Sequence, residues 1–423
     1  MPEESLLSDD FLRQLINVGE VDILIGLPTH NNSKTIQQVT RAVQAGILKC
    51  FPRERAVIIN ADGGSQDGTP QMVTGVSIDD VWNASKVYTL RTLHAITTAY
   101  ASSPEPGRAL RTILAAADLL QAKACVIISA DEATIEPDWL ERLVQPIYND
   151  NYDLVSPIYC RQKSEGVLMR NLLYPMIRSI YGYRVREPYA PDFAISGRLA
   201  ADFLNGDFWN EEWGRVGPEM LLTIAAITGK YRVCEAFLGM RAHTEQSATD
   251  LILALRRTVG ALFASLESNF PLWSAISSSQ SIPSRDGHCE VAAAEPMNVN
   301  SERLRDMFAH GVSELDPVFQ QILSPQTMAE LQKLSELNVE QFRYPAELWA
   351  TTVFEFAASF HKSVISRDHI IQALGPLFRG RALSFLLENR DASEQDLENN
   401  VEGLCAEFER RKPYLLEVWN QKR

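Results

Sequence analysis

Four short segments carry side chains able to do chemistry: PTHNN (28–32), ADGGSQDGT (61–69), ISADEATIEPDW (128–139) and FLGMRAHTEQS (237–247). Asp131 closes an apolar run and would ligate a hard divalent cation, since Mg²⁺ and Mn²⁺ prefer oxygen ligands. An ordinary strand end is the competing reading. Glu132 alternates to the opposite side if the strand continues, which leaves Asp131 the better candidate. Asp62 stands before Gly63 and Gly64, whose lack of Cβ lets the backbone approach a ligand closely. An ordinary Asp/Gly turn would look the same. The small polar groups of PTHNN suit either a nucleobase edge or a helix cap, and His243 alone reads as a surface or core histidine.

The elements that must position these residues are legible as alternating patterns. VDILIGLP (21–28) is a short apolar run bounded by turn signals, the mark of a buried parallel strand. AVIINADGGSQDGT (56–69) is a second strand running into a loop, ACVIISAD (124–131) a third, and YDLVSPIY (152–159) a fourth. Between them, THNNSKTIQQVTRAVQAGILKCF and GRALRTILAAADLLQAKA (107–124) carry apolar positions at helical spacing. Strand–helix alternation of this kind predicts an open α/β sheet with ligand loops at the carboxyl ends of its strands. From about residue 245 the pattern turns helical, and SSSQSIPSRDGHCEVAAAEPMNVNSE (277–302) reads as a long loop. The expected layout is an α/β domain over 1–244 followed by an α-helical domain over 245–423.

At 423 residues the chain is too long for one ordinary domain. A net charge of −14 argues against sequence-independent nucleic-acid binding and against a polybasic membrane patch. No stretch approaches the roughly 18–20 apolar residues of a membrane span. The acidic start, MPEESLLSDDFLRQL, has no signal-peptide core. The six cysteines show no close pairing, so reduced thiols and a cytoplasmic protein are expected. A homodimer is compatible with the sequence but not required by it.

The ordered series GLPTHNN, NADGGSQDGT, GRALRT, SAD with EPDW, REPYAPDF, GPEMLLT and RAH resembles the GT-A glycosyltransferases. Within them it is most similar to retaining, family-2-like enzymes related to mannosylglycerate and glucosyl-3-phosphoglycerate synthases. The resemblance extends to the C-terminal FRYPAELWATTVFEFAASFHK stretch. It implies a GT-A, Rossmann-like domain with a mainly parallel sheet, a nucleotide-diphosphate sugar as donor, and Mg²⁺ or Mn²⁺ as cofactor. Pro28, Thr29, Asn31, Asp62, Gly63, Gly64, Arg108, Ala130 and Asp131 would line the donor site. Asp131 and His243 would hold the metal, and Glu219 and Asp192 would be the acids at the reaction centre. The implied activity is hexosyl transfer with retention, by front-face attack, to a small soluble acceptor. Arg184 and Arg186 would suit an acidic acceptor, although solvated arginines are the default.

Four departures fall on that same surface. Ser129 stands where the family's Asp-x-Asp begins, and Pro106, in Pro104-Glu105-Pro106-Gly107, where a lysine meets the diphosphate. Pro188-Tyr189-Ala190-Pro191-Asp192 replaces a Gly-Gly-Glu, and Gly217-Pro218-Glu219 alters a milder element. Two expectations follow. In one, the transferase works with an altered donor site in which Arg108 or Arg111 supplies the missing charge. In the other, a degenerate relative binds a nucleotide sugar or a protein partner. Trp209 and Trp213 suit either sugar stacking or core packing, and His361 and His369 suit packing or capping.

Overall fold

The computed structural model describes residues 6–75, 94–100, 105–132, 134–241, 248–285, 287 and 300–421. Contacts divide the chain into two units. The first takes residues 1–160, 190–242 and 282–289, and the second 161–189, 243–281 and 290–423. Residues 161–189 thus leave the α/β span, and 282–289 return to it.

Unit 1 is built on one sheet: β1 (Ile23–Thr29), β2 (Ala56–Asp62), β3 (His94–Ala99), β4 (Ala124–Ile127), β5 (Leu154–Cys160), β6 (Phe193–Ser196), β7 (Val233–Met240) and β8 (Ser284–Arg285). Its order is β3-β2-β1-β4-β6-β5-β7-β8. β6 runs antiparallel to both its neighbours, and the other pairings are parallel. The four predicted strands are present with shifted ends. β3 and β6 carried no signal strong enough to be read. β8 lies inside the segment expected to be a loop.

The two faces of β1 explain the layering. Ile23, Ile25 and Leu27 join Val39 and Val43 of the Ile36–Cys50 helix and Trp139 and Leu140 of the Asp138–Asp150 helix in one buried cluster. Gly26 faces the Pro106–Leu119 helix, where an added Cβ would stand 2.5 Å from Ile113 Cγ2. That glycine lets the helix sit close against the strand whose end feeds PTHNN.

Unit 2 is helical among its described residues. The Ala346–Lys362 helix runs through its core, with every residue from Trp349 to Phe360 buried. Trp349 donates its indole N–H to the Asn171 carbonyl at 2.7 Å. The buried Arg381 reaches Asn171 Oδ1 at 2.9 Å and the Tyr344 carbonyl at 2.8 Å. His361 stacks on Trp419 at 4.1 Å, and the His369 backbone N–H is capped by Ser366 at 3.3 Å. His361 therefore packs, and His369 sits in the first turn capped by Ser366. Arg184 donates to Ser279 Oγ at 3.2 Å and Arg186 lies 3.7 Å from Glu398. No described helix is long and apolar enough to cross a membrane.

Cys50, Cys125, Cys234 and Cys405 are free, and burial pushes the Cys125 thiol up to about 12. Cys160 is disulfide-bonded, with its partner outside the described residues. The expectation of reduced thiols throughout fails there, because chain spacing gives no view of a bond closed through the fold.

Lys412 is 5% exposed and donates to the Ile180 carbonyl at 3.0 Å and the Ile276 carbonyl at 2.7 Å. Burial pulls its ammonium down to about 8, against an ordinary lysine near about 10.4. Between those values the unfolded chain binds the proton more strongly, so this residue's contribution to stability rises with pH. Urea denaturation from pH 7.5 to 10.5 should show that rise in the native chain relative to Lys412→Met, with the difference between the two flattening above the upper value.

Candidate active site

Parallel strands deliver their carboxyl ends to one edge of the sheet. β1 ends at Thr29, paired with Asp62 at the end of β2, and Asp62 is paired in turn with Ala99 of β3. The chain leaving β4 continues the alignment, with Ile128 donating its N–H to the Gly26 carbonyl at 3.0 Å. Because β6 is antiparallel, Asp192 just before it reaches the same edge.

Asp62 is 2% exposed, and its oxygens are filled by its own loop. Oδ2 accepts the N–H groups of Gly64 at 3.0 Å and Ser65 at 2.8 Å, while Oδ1 accepts the Ser65 hydroxyl at 2.6 Å. The Thr29 hydroxyl shares its one proton between Asn60 Oδ1 at 2.7 Å and Asp62 Oδ1 at 2.9 Å. Asp62 therefore shapes the Gly63–Gly64 turn, in which Gly63 is buried and Gly64 half-buried. Gly64 takes φ 81° there, a conformation glycine adopts without strain.

The neighbouring loop is bound to this one. Asn31, exposed and at φ 57°, donates its N–H to Ser65 Oγ at 2.8 Å and accepts from Gln66 N–H at 3.0 Å. His30 Nδ1 meets the Gly63 carbonyl at 3.0 Å, and its Nε2 meets the Asn31 amide nitrogen at 3.1 Å. A carbonyl only accepts and an amide nitrogen only donates, so Nδ1 is the donor and Nε2 the acceptor in these two contacts. Asp67 accepts from Ser33 N–H at 2.9 Å and from the Thr69 hydroxyl at 2.6 Å; the latter bond leads in holding its carboxyl well below the usual range. Pro28 is half-buried beneath this assembly.

Asp131 is exposed at the tip beyond β4. Its Oδ1 accepts the Asn32 side-chain amide at 2.5 Å. Ser129 Oγ turns back to Asp131 N–H at 3.4 Å, and the Ala130 carbonyl accepts the Thr35 hydroxyl at 2.7 Å. Glu132 is buried; it accepts from Thr134 and pairs with Arg241 Nε at 2.7 Å. The two acids differ in exposure, but the strand that was expected to continue ends at Ile127, and a turn closed by Glu132 N–H on the Ser129 carbonyl separates them in place of strand alternation.

Asp192 is fully buried and accepts Ser129 N–H and the Tyr159 hydroxyl, both at 2.7 Å, with Arg241 Nη2 at 3.9 Å. Burial pushes its carboxyl up, opposed chiefly by Arg241. The structure thus places Asp192 beneath the Asp131 tip and not on its surface. Sequence reasoning passed over Asn32, treated as a helix cap, and Arg241 and Tyr159, which carried no local signal.

Further along the edge, Arg108 is half-buried in the first turn of the Pro106–Leu119 helix. Burial raises the Tyr100 phenol, and the Arg108 charge works against that rise. A Cβ on Gly107 would stand 2.5 Å from the Gly214 carbonyl and 2.6 Å from Arg215 Cα, so that helix start is packed on the Glu212–Val216 turn. Glu219 follows, half-buried in the first turn of the Pro218–Thr228 helix. Arg111 lies over the Trp209 ring at 5.9 Å. Trp209 and Trp213 are 5% and 6% exposed, which makes them core residues.

No group of three or more His, Cys, Asp or Glu side chains able to enclose a metal occurs among the described residues, and His243 lies outside them. The exposed Asp131 oxygen fits a cation that keeps several waters and takes the rest of its shell from phosphates, as Mg²⁺ does.

Asp192→Ala would strip Ser129 N–H, the Tyr159 hydroxyl and Arg241 of a buried partner, at a cost of about 3–5 kcal/mol in urea denaturation. Asp131→Ala, at an exposed tip, should stay within about 0.5 kcal/mol.

Residues 24–201 match the family model Glycosyl transferase family 2. No curated protein matches the chain. Among solved structures, glucosyl-3-phosphoglycerate synthase from Mycobacterium tuberculosis in complex with Mn²⁺, UDP and phosphoglyceric acid is 19% identical. That alignment covers 61% of this chain and 82% of that one at a TM-score of 0.42. The same enzyme with Mg²⁺ and UDP is 18% identical, covering 62% and 84%, at 0.41. With phosphoglyceric acid it is 17% identical, covering 62% and 85%, at 0.40. These likenesses are loose, and the family model is the stronger finding. Its span runs from β1 into the helix after β6, taking in the loops of Thr29, Asp62, Asp131 and Asp192, and over those residues the chain is similar to the family 2 glycosyltransferases.

Proposed function

We propose that the chain transfers a hexose from a nucleotide-diphosphate sugar to a small soluble acceptor, with retention at the anomeric carbon. The observation that carries this reading is the exposed Asp131 carboxylate, oriented by Asn32 beside two loops whose polar groups are already fixed to one another. Such a surface does not reorganise when a charged ligand arrives, which is what electrostatic stabilisation of a departing diphosphate needs. Pro28, Thr29, Asn31 and the Asp62–Gly63–Gly64 turn would receive the nucleoside, with Ala130 and Asp131 beside the diphosphate.

Arg108 would take the role of the family's lysine, placing a permanent guanidinium charge near the phosphates. A bound divalent cation, held by Asp131 and by His243, would supply Lewis-acid neutralisation of the departing charge. Glu219 would face the acceptor and orient its hydroxyl, while Asp192 would act through the tip it supports. In the front-face route the donor's own phosphate oxygen takes the acceptor proton. An acidic acceptor, such as a glycerate or its phosphate, is the class proposed. The second reading, a nucleotide-sugar binder without transfer, has Ser129 and Pro106 in its favour.

Thermal unfolding with nucleoside diphosphates and nucleotide sugars, with and without Mn²⁺, tests both readings. A ligand at a hundred times its Kd adds about 2.7 kcal/mol. That gain should require Mn²⁺ and disappear in Asp131→Ala and His243→Ala. Donor hydrolysis without acceptor would identify the transferase. Stabilisation without any turnover would select the binder, and no response to any nucleotide would defeat both.

A further inference from the structure

Asn32 is fixed at every polar group it has. Its backbone N–H donates to Thr69 Oγ1 at 2.9 Å, and its carbonyl accepts from Thr35 N–H at 3.0 Å and Ile36 N–H at 2.9 Å. The side-chain oxygen accepts His30 N–H at 2.7 Å. That bond settles which way the amide points, because a backbone N–H can only donate. The NH₂ group must then face Asp131, and it does so at 2.5 Å from Oδ1. Asn32 is 8% exposed, while Asp131 is open to solvent. One oxygen of the exposed carboxylate is occupied by a rigid neutral donor, and the other has no partner among the described residues.

We infer that Asn32 is a positioning residue that commits Asp131 to one-oxygen ligation and so selects the cation. The inference rests on the metal-assisted reading above. Mg²⁺ holds a tight octahedron and takes carboxylates through single oxygens, whereas Ca²⁺ accepts more ligands and readily takes both oxygens of one carboxylate. A carboxylate with one oxygen withdrawn penalises Ca²⁺ most. Three buried acids of this edge do not offset the restriction. Asp62, Glu132 and Asp192 are buried, and their oxygens meet protein donors.

Two substitutions separate selection from general support of the loop. Asn32→Ala releases Asp131 Oδ1. Asn32→Asp keeps the acceptor for His30 N–H and turns a second carboxylate oxygen toward Asp131. The measurement is calorimetric binding of UDP, GDP and ADP in turn, each with Mg²⁺, Mn²⁺ or Ca²⁺, to the full chain and to both variants.

The native chain should bind its preferred nucleotide at least about tenfold more tightly with Mg²⁺ or Mn²⁺ than with Ca²⁺. That ratio should fall several-fold in Asn32→Ala. In Asn32→Asp, binding should strengthen for all three ions, and most for Ca²⁺. Looser folding of the loop would weaken all ions alike and leave the ratio unchanged, which would overturn the inference. A ratio near one in the native chain would overturn it too. If one variant does not fold, the other carries the same comparison. Cation-dependent nucleotide binding with an unchanged ratio defeats this inference alone, whereas no nucleotide binding with any cation defeats the reading beneath it as well.

Discussion

The candidate site depends on one buried carboxylate. Asp192 stands at the head of the antiparallel strand β6 and accepts Ser129 N–H from the chain leaving β4 and the Tyr159 hydroxyl from β5. Arg241, just beyond β7, faces it and at the same time pairs with Glu132. Three strand ends and the tip that carries Asp131 are therefore held by one cluster of charges. Burying an acid is costly unless donors and a cation surround it, and here they come from segments far apart in the chain. The antiparallel insertion of β6 makes this possible. A parallel strand at that place would have delivered its first residue to the opposite edge.

Above this charged base the surface loops are held by bonds to one another. Asp62 spends its carboxylate on its own turn, Asn31 and Ser65 join the two loops, and His30 bridges Gly63 to Asn31. Asn32 then passes the rigidity on to Asp131. The division has a physical logic. Charge that only supports the fold is buried and paired, and the exposed charge that remains is free to meet a ligand. Preorganisation of that kind keeps the cost of ordering the site within folding and out of binding.

How much of this could be read from the sequence depended on how local each signal was. β1, β2, β4 and β5 were visible as apolar runs between turn residues. HAITTA, which forms β3, mixes small and polar residues, and β6 is only four residues long. Ser284–Arg285 pairs with β7 from within a polar stretch that offers no strand period at all. At the site, Asp131 stood out because an apolar run ended on it. Asp192 was given by the resemblance as an acid of the reaction centre, and its burial stayed hidden because it depends on Tyr159 and Arg241, which no spacing rule links to it. Asn32 looked like a cap because its bond to Asp131 spans 99 residues. The tryptophans of GDFWNEEWG were ambiguous for a similar reason. Trp209 packs against Phe203 and Arg111 on other elements.

The departures from the glycosyltransferase pattern look damaging singly and less so together. Ser129 removes one negative charge from the tip, and Pro106 removes one positive charge from the phosphate side. Ser129 keeps a role that its backbone alone fulfils, donating to Asp192, while its hydroxyl turns toward Asp131 N–H. Pro106 occupies the first position of a fourteen-residue helix, where proline's fixed φ favours helix initiation and its missing N–H costs nothing. Arg108 stands two residues further on, in the same turn. Under the proposed transfer, the donor site would rest on one carboxylate, Asp131, held by Asn32, and on the Arg108 guanidinium.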